Sequence, residues 1–175
     1  MNTTKKVTLS AVMAALAAVI MLVSYFPYLT YAVPAVAGLC IMVIVMEINC
    51  KWAVLTYFTA AFLAFLFAEA ESKLMFIGFF GFYPIVKCLV EKINKPIIEW
   101  LIKIIIFNIC VVSVYLLFSK IFMLSFEDMG TLAKYGEIIL LVMANVVFVV
   151  YDIAVSRISW FYFEKFHAKI SCIFK

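Results

Sequence analysis

Charge is scarce in this chain. Of 175 residues, 14% are Asp, Glu, Lys or Arg and 69% are hydrophobic, with a mean hydropathy of +1.20. That balance excludes a soluble domain and points to an integral membrane protein. The longest polar stretch is a loop at 126–135, too short for a second domain, so residues 1–175 read as a single transmembrane domain. Histidine occurs once, as His167 in a basic tail, where contact with solvent or headgroups is expected rather than metal or proton chemistry. The five cysteines, Cys40, Cys50, Cys88, Cys110 and Cys172, are scattered and lack CxxC spacing. They suggest neither a disulfide framework nor a thiolate metal site, and read as small apolar fillers. HExxH, GxSxG, a phosphate-cradling glycine loop and nucleotide motifs are all missing. No catalytic residue, metal or cofactor is therefore expected, and the chain is not read as an enzyme. Any active transport must draw its energy from another protein.

What is present is long apolar runs. A membrane helix needs about 20 such residues. Cutting at charges and prolines gives six candidates, at 8–26, 31–46, 52–68, 74–90, 97–122 and 137–163. The fold class expected is an all-α bundle of six transmembrane helices. The joint between the first two is tight, bracketed by Pro27 and Pro34, with Tyr25, Tyr28 and Tyr31 placed as an interfacial belt. The first run is long enough to span and has no clear cleavage site, so it is expected to stay as a helix rather than leave as a signal peptide.

The net charge of +4 would suit nucleic acid until the positions are read, and no nucleic-acid partner is expected. Lys and Arg concentrate on cytoplasmic ends of membrane proteins. Starting inside, one side collects Lys5, Lys6, Lys51, Lys87, Lys92, Lys95, Lys103, Arg157, Lys165, Lys169 and Lys175. The other holds Lys73, Lys120 and Lys134. Eleven against three places both termini in the cytoplasm of a multi-pass cell-membrane protein. The outer loops carry Glu69, Glu71, Glu127, Asp128 and Glu137, either a solvated rim or a gate over a substrate pocket.

Leu9 to Val19, LSAVMAALAAV, is the one span made mostly of small side chains. Ala11, Ala14, Ala15 and Ala18 fall at i, i+3, i+4 and i+7, on one helix face. Association in lipid depends on close packing, for which the pairs Ala11/Ala15 and Ala14/Ala18 are suited. Such a face serves packing within the bundle or docking on another membrane protein. On the fourth helix GFFGFYP combines Gly78 and Gly81 with Pro84, which should kink the helix and free a carbonyl that needs a partner inside the protein. Lys87, one turn on, is expected to snorkel to headgroups unless an acidic side chain pairs with it. Glu99 and Lys103, at i and i+4, can pair locally.

Three polar residues fall deep in the apolar runs: Asn108, Asn145 and Asp152. Asn145 and Asp152 are two turns apart on one helix face, extended by Ser156, and that face must point inward. The amides serve either as an interhelical hydrogen-bond clamp or as ligand contacts. An unpaired Asp152 would be expensive, which asks for a partner such as Lys87 or Lys103, or for water access.

The chain resembles the substrate-binding S component of energy-coupling factor (ECF) vitamin transporters. The resemblance rests on size, six helices, cytoplasmic termini and the segment AVMAALAA, similar to the AxxxA surface by which such subunits contact a coupling partner. The segments LCIMVIVMEINCKWAVLTYF and FFGFYPIVK resemble an uncharacterised branch of that family. It implies a small-molecule substrate, contact with membrane lipid, a transmembrane coupling subunit and two cytoplasmic ATPase subunits, with Ala11, Ala14, Ala15 and Ala18 as the docking face. It implies a ligand near the outer surface between helices four to six, and at that depth the substrate-binding candidates are Asn145, Tyr83, Glu71 and Lys73, then Asn108, with Asp152 structural. The first outer loop is shorter than the family's usual lid. A second reading is a non-transporting scaffold similar to rod-shape-determining membrane proteins, with a filled core. An intramembrane enzyme ranks last, for want of a partner to Asp152 in a catalytic pair.

Overall fold

The computed structural model describes residues 2–26, 28–93, 95–122 and 130–165. Among them the regular structure is helical, and the chain is an all-α membrane bundle. The helices are α1 (Thr3–Leu22), α2 (Ala32–Glu47), α3 (Cys50–Phe67), α4 (Ala70–Met75), α5 (Tyr83–Val90), α6 (Pro96–Phe122) and α7 (Gly130–Lys165). Thr3–Tyr25, Cys50–Phe67, Ala70–Ile93, Pro96–Val114 and Leu141–Lys165 are long and apolar enough to cross a membrane. Five of the six expected crossings are thus met by helices of spanning length; the second, α2, has 16 residues, as many as the run expected at 31–46, about 24 Å at 1.5 Å per residue and short of a full span. A tight turn precedes it. Tyr28 there takes the left-handed conformation at φ 74°, and Leu29 N–H already closes back on Phe26 O at 3.2 Å.

Of the loop expected at 126–135, residues 130–135 belong to the start of α7, and 126–129 lie outside the described residues. Pro27, Glu127, Asp128, His167, Lys169, Cys172 and Lys175 lie outside the described residues, as do the side chains of Lys120, Lys134 and Glu137.

Two packing styles divide the bundle. α1 lies against α2 and α3, and their contact surface is built from small side chains: Ala14 and Ala17 of α1, Ala37 of α2, and Ala53, Ala60 and Ala64 of α3, each 2% exposed or less. Small residues let backbones approach, which is what holds helices together where lipid is as apolar as the core. The other half, around α5, α6 and α7, is held by long side chains: Phe79, Tyr83, Phe107 and Phe148 form a separate core cluster. Outward, Phe58, Phe62, Phe65 and Leu66 of α3 are each more than half exposed, as a lipid-facing surface requires.

The fourth crossing carries a π-turn just before Pro84, an irregularity where a kink was expected. A π-turn at Phe76–Phe80 follows α4, and α5 then starts with Pro84 in its first turn. Proline is tolerated there because first-turn N–H groups have no helical partner. The π-turn frees the Ile77 carbonyl, which finds a partner inside the bundle. Gly81 N–H bonds to Phe76 O at 2.8 Å rather than to Ile77 O, and Ile77 O accepts from Tyr57 Oη at 2.8 Å. Phe80 O, which Pro84 cannot serve, faces Gly38 of α2 so closely that a methyl there would stand 2.4 Å away.

Candidate functional site

The column of polar residues along α5, α6 and α7 has three layers. Tyr83, Lys87 and Glu91 recur at i, i+4 and i+8, on one face of α5 and the turn that follows it. Lys103 comes from α6 and Asp152 from α7. Lys87 Nζ bonds to Asp152 Oδ1, to Ser156 Oγ at 2.8 Å and to Glu91 Oε1 at 2.8 Å. Lys103 Nζ reaches Glu91 Oε1 at 2.9 Å and Asp152 Oδ2 at 3.2 Å. Tyr83 Oη donates to Asp152 Oδ1. Two ammonium groups therefore alternate with two carboxylates in a ring whose formal charges cancel. Lys87, Lys103 and Asp152 are 5%, 4% and 3% exposed, while the Glu91 side chain is 43% exposed and forms the wet edge.

Neutrality explains how such a ring survives. Each buried ion costs several kcal/mol of desolvation, repaid only when geometry is good and remaining donors and acceptors are filled. Asp152 alone ties α5, α6 and α7 together. The expectation that Asp152 needs Lys87 or Lys103 is met by both. Two other expectations are corrected. Lys87 does not snorkel: it turns inward, because Asp152 offers a desolvated carboxylate one helix away. Lys103 bonds to Glu91 and Asp152 rather than pairing with Glu99. Glu91 was not singled out from sequence, although its i+4 spacing from Lys87 was the available signal.

Above the ring lies an aromatic layer. Phe107 and Phe148 stack at 4.5 Å and 12°, and Phe79 meets Tyr83 at 4.8 Å and Phe107 at 5.1 Å. Above that, Asn108 and Asn145 exchange hydrogen bonds at 3.0 and 3.1 Å, and each Nδ2 also donates to its own i−4 carbonyl at 2.8 Å. Both amide hydrogens of each residue are used. Tyr151 Oη, buried beside the aromatic layer, has no hydrogen-bond partner among the described residues.

The five expected substrate contacts are placed in three groups. Asn108 and Asn145 meet each other. Tyr83 is fully buried and serves the ring instead. Glu71 and Lys73 sit on α4, where Glu71 accepts from Tyr31 Oη at 3.3 Å and Lys73 Nζ lies 5.2 Å from the Phe65 ring centroid. The Glu71 charge raises the Tyr31 phenol above its ordinary pKa. Thr30 Oγ1 donates to Glu69 at 3.2 Å and Ser72 Oγ to Thr30 O at 2.8 Å, so the first turn is laced to the start of α4.

The expected docking face splits. Ala14 is buried within the bundle and Ala18 half-buried, whereas Ala11 and Ala15 are exposed. A helix face about 100° wide cannot face both ways, and the inner stripe runs Ser10, Ala14, Ala17 and Met21.

At the Glu91 end, a cleft of about 330 Å³ opens between α2, α5 and α7, with Met42, Met46, Lys87, Cys88, Glu91 and Ser159 in its wall. It adjoins a groove of about 450 Å³ along Met46, Ser159, Trp160, Phe163 and Glu164. Tyr162 Oη bonds to Glu47 nearby at 2.8 Å. The ion ring thus borders a cavity on one side and a sealed aromatic layer on the other. Comparison with protein-family models, with curated proteins and with solved structures gave no match.

Proposed function

We propose that this chain is the substrate-binding membrane subunit of an ECF-type uptake transporter for a vitamin or other micronutrient. In this reading it sits in the cell membrane with both termini cytoplasmic, docks by α1 on a coupling subunit, and depends on two separate ATPase subunits. The observation that supports it best is the division of the bundle. A close-packed half presents Ala11 and Ala15 outward after α1 has met its internal packing needs through Ala14 and Ala17. The opposite half keeps an ion ring, an aromatic layer and an amide pair stacked inside apolar helices. Ionisable groups at such depth are rare and mark binding or ion pathways in membrane proteins. Asn145, Asn108, Tyr83, Glu71 and Lys73 remain the proposed substrate contacts. The Asn108–Asn145 pair would then open to exchange its mutual bonds for bonds to the substrate.

The scaffold reading has its own support, since both amides and both buried lysines are already satisfied by protein partners. Gentle purification followed by native mass spectrometry separates the two. A retained small molecule with copurified ATPase subunits is the transporter outcome. A ligand-free chain bound only to other membrane proteins overturns it.

A further inference from the structure

Cys50 and Cys88 are 38 residues apart in sequence, and their Sγ atoms lie 3.4 Å apart. We propose that they form an oxidisable dithiol, a modification site at which a low-molecular-weight disulfide such as oxidised glutathione closes a reversible Cys50–Cys88 bond. This replaces the view of both as inert fillers.

Neither sulfur sits on a loose segment. Cys50 is the first residue of α3, whose start is held by Asn49 Oδ1 accepting from Trp52 N–H at 3.1 Å. Cys88 follows Lys87 on α5, and Lys87 is anchored by Asp152, Ser156 and Glu91. The two thiols thus approach on helix ends, their sulfurs about 1.4 Å beyond bonding distance. Both are free thiols in this structure, the resting state expected where the compartment is reducing. Both are half-buried, but their settings differ: Cys88 forms part of the cleft wall beside Lys92, while Cys50 packs against the small-residue core.

That difference orders the chemistry. The Cys88 thiolate attacks one sulfur of the glutathione disulfide; the S–S bond breaks, and one glutathione thiolate leaves with the electron pair and takes up the proton Cys88 lost. The Cys50 thiolate then attacks Cys88 Sγ in the mixed disulfide, and the second glutathione leaves in the same way, taking the proton from Cys50. Two protein thiols are oxidised and one small disulfide is reduced to two thiols. The new bond joins α3, in the close-packed half, to α5 in the polar half, along the wall of the cleft.

The test uses the full-length chain in detergent, treated with oxidised glutathione, then alkylated with a maleimide and digested without reduction. Two fewer reactive thiols per chain, a Cys50–Cys88 linked peptide and recovery with dithiothreitol are expected. In Cys50→Ser, Cys88 should stop as a stable glutathione adduct, and in Cys88→Ser no adduct should form at Cys50. An unchanged thiol count, a glutathione adduct on wild-type Cys88 that never resolves, or links only between chains or to Cys172 would overturn the proposal. The wild-type peptide map decides even if a variant fails to fold.

Discussion

Asn108 of α6 and Asn145 of α7 satisfy one another's side chains completely, each giving one amide hydrogen to the other's oxygen and one to its own helix. Removing either leaves the other half-paired in an apolar setting. Asn145→Ala and Asn108→Ala should each cost about 0.6 kcal/mol and at most about 2 in thermal unfolding. The double variant should cost scarcely more than one single, because the second change removes an already unpaired group. Additive losses would show that the two amides act separately. Under the proposed function, Asn145→Ala should also weaken substrate binding by about 1–3 kcal/mol once a substrate is identified.

Asp152→Asn leaves Lys87 and Lys103 facing Glu91 alone, a net buried charge of one. Losing one partner of a buried ion set typically costs about 3–5 kcal/mol. Adding Lys103→Met restores neutrality with an apolar side chain of similar length, and should recover part of the loss. A double variant less stable than Asp152→Asn in a detergent melt would contradict the neutral-ring account.

Gly38→Ala should destabilise more than Gly78→Ala, although each methyl meets an atom at 2.4 Å. At Gly38 the obstacle is the backbone oxygen of Phe80, fixed by the π-turn, whereas at Gly78 it is Cγ2 of Val114, which can shift. Overpacking of the first kind costs about 1–3 kcal/mol. Equal melting temperatures for the two variants would refute the distinction.

Ala14→Leu and Ala15→Leu should behave oppositely. Ala14 is 2% exposed within the bundle, so the added bulk should lower stability of the isolated chain. Ala15 is exposed, and its variant should fold normally while losing capture of a coupling subunit. Normal capture by folded Ala15→Leu would remove the α1 docking surface from the proposed function.

Orientation is checked by reporters fused after Lys175 and inserted at 123–129, which should read opposite sides of the membrane. With Lys87 and Lys103 withdrawn into the ring, nine basic residues still face three. The same side for both reporters would defeat the topology.

Much of the fold was legible because lipid imposes a one-dimensional rule: apolar length becomes helix. The runs at 8–26, 97–122 and 137–163 correspond to α1, α6 and α7, and the inward face carrying Asn145 and Asp152 follows from a 3.6-residue period alone. Composition likewise settled that this is an all-α membrane chain. Partner choice was not legible, since it depends on which helices become neighbours. Lys87 had headgroups, Asp152 and its own i+4 neighbour Glu91 within reach of its long side chain, and only the placement of α7 against α5 decided for Asp152. The Ala11/Ala15 and Ala14/Ala18 pairs look alike in sequence, yet the rotation of α1 against α2 and α3 buried Ala14 and left Ala15 outside. Cys50 and Cys88 met for the same reason: spacing of 38 residues carries no distance, and two helix ends brought together by packing do.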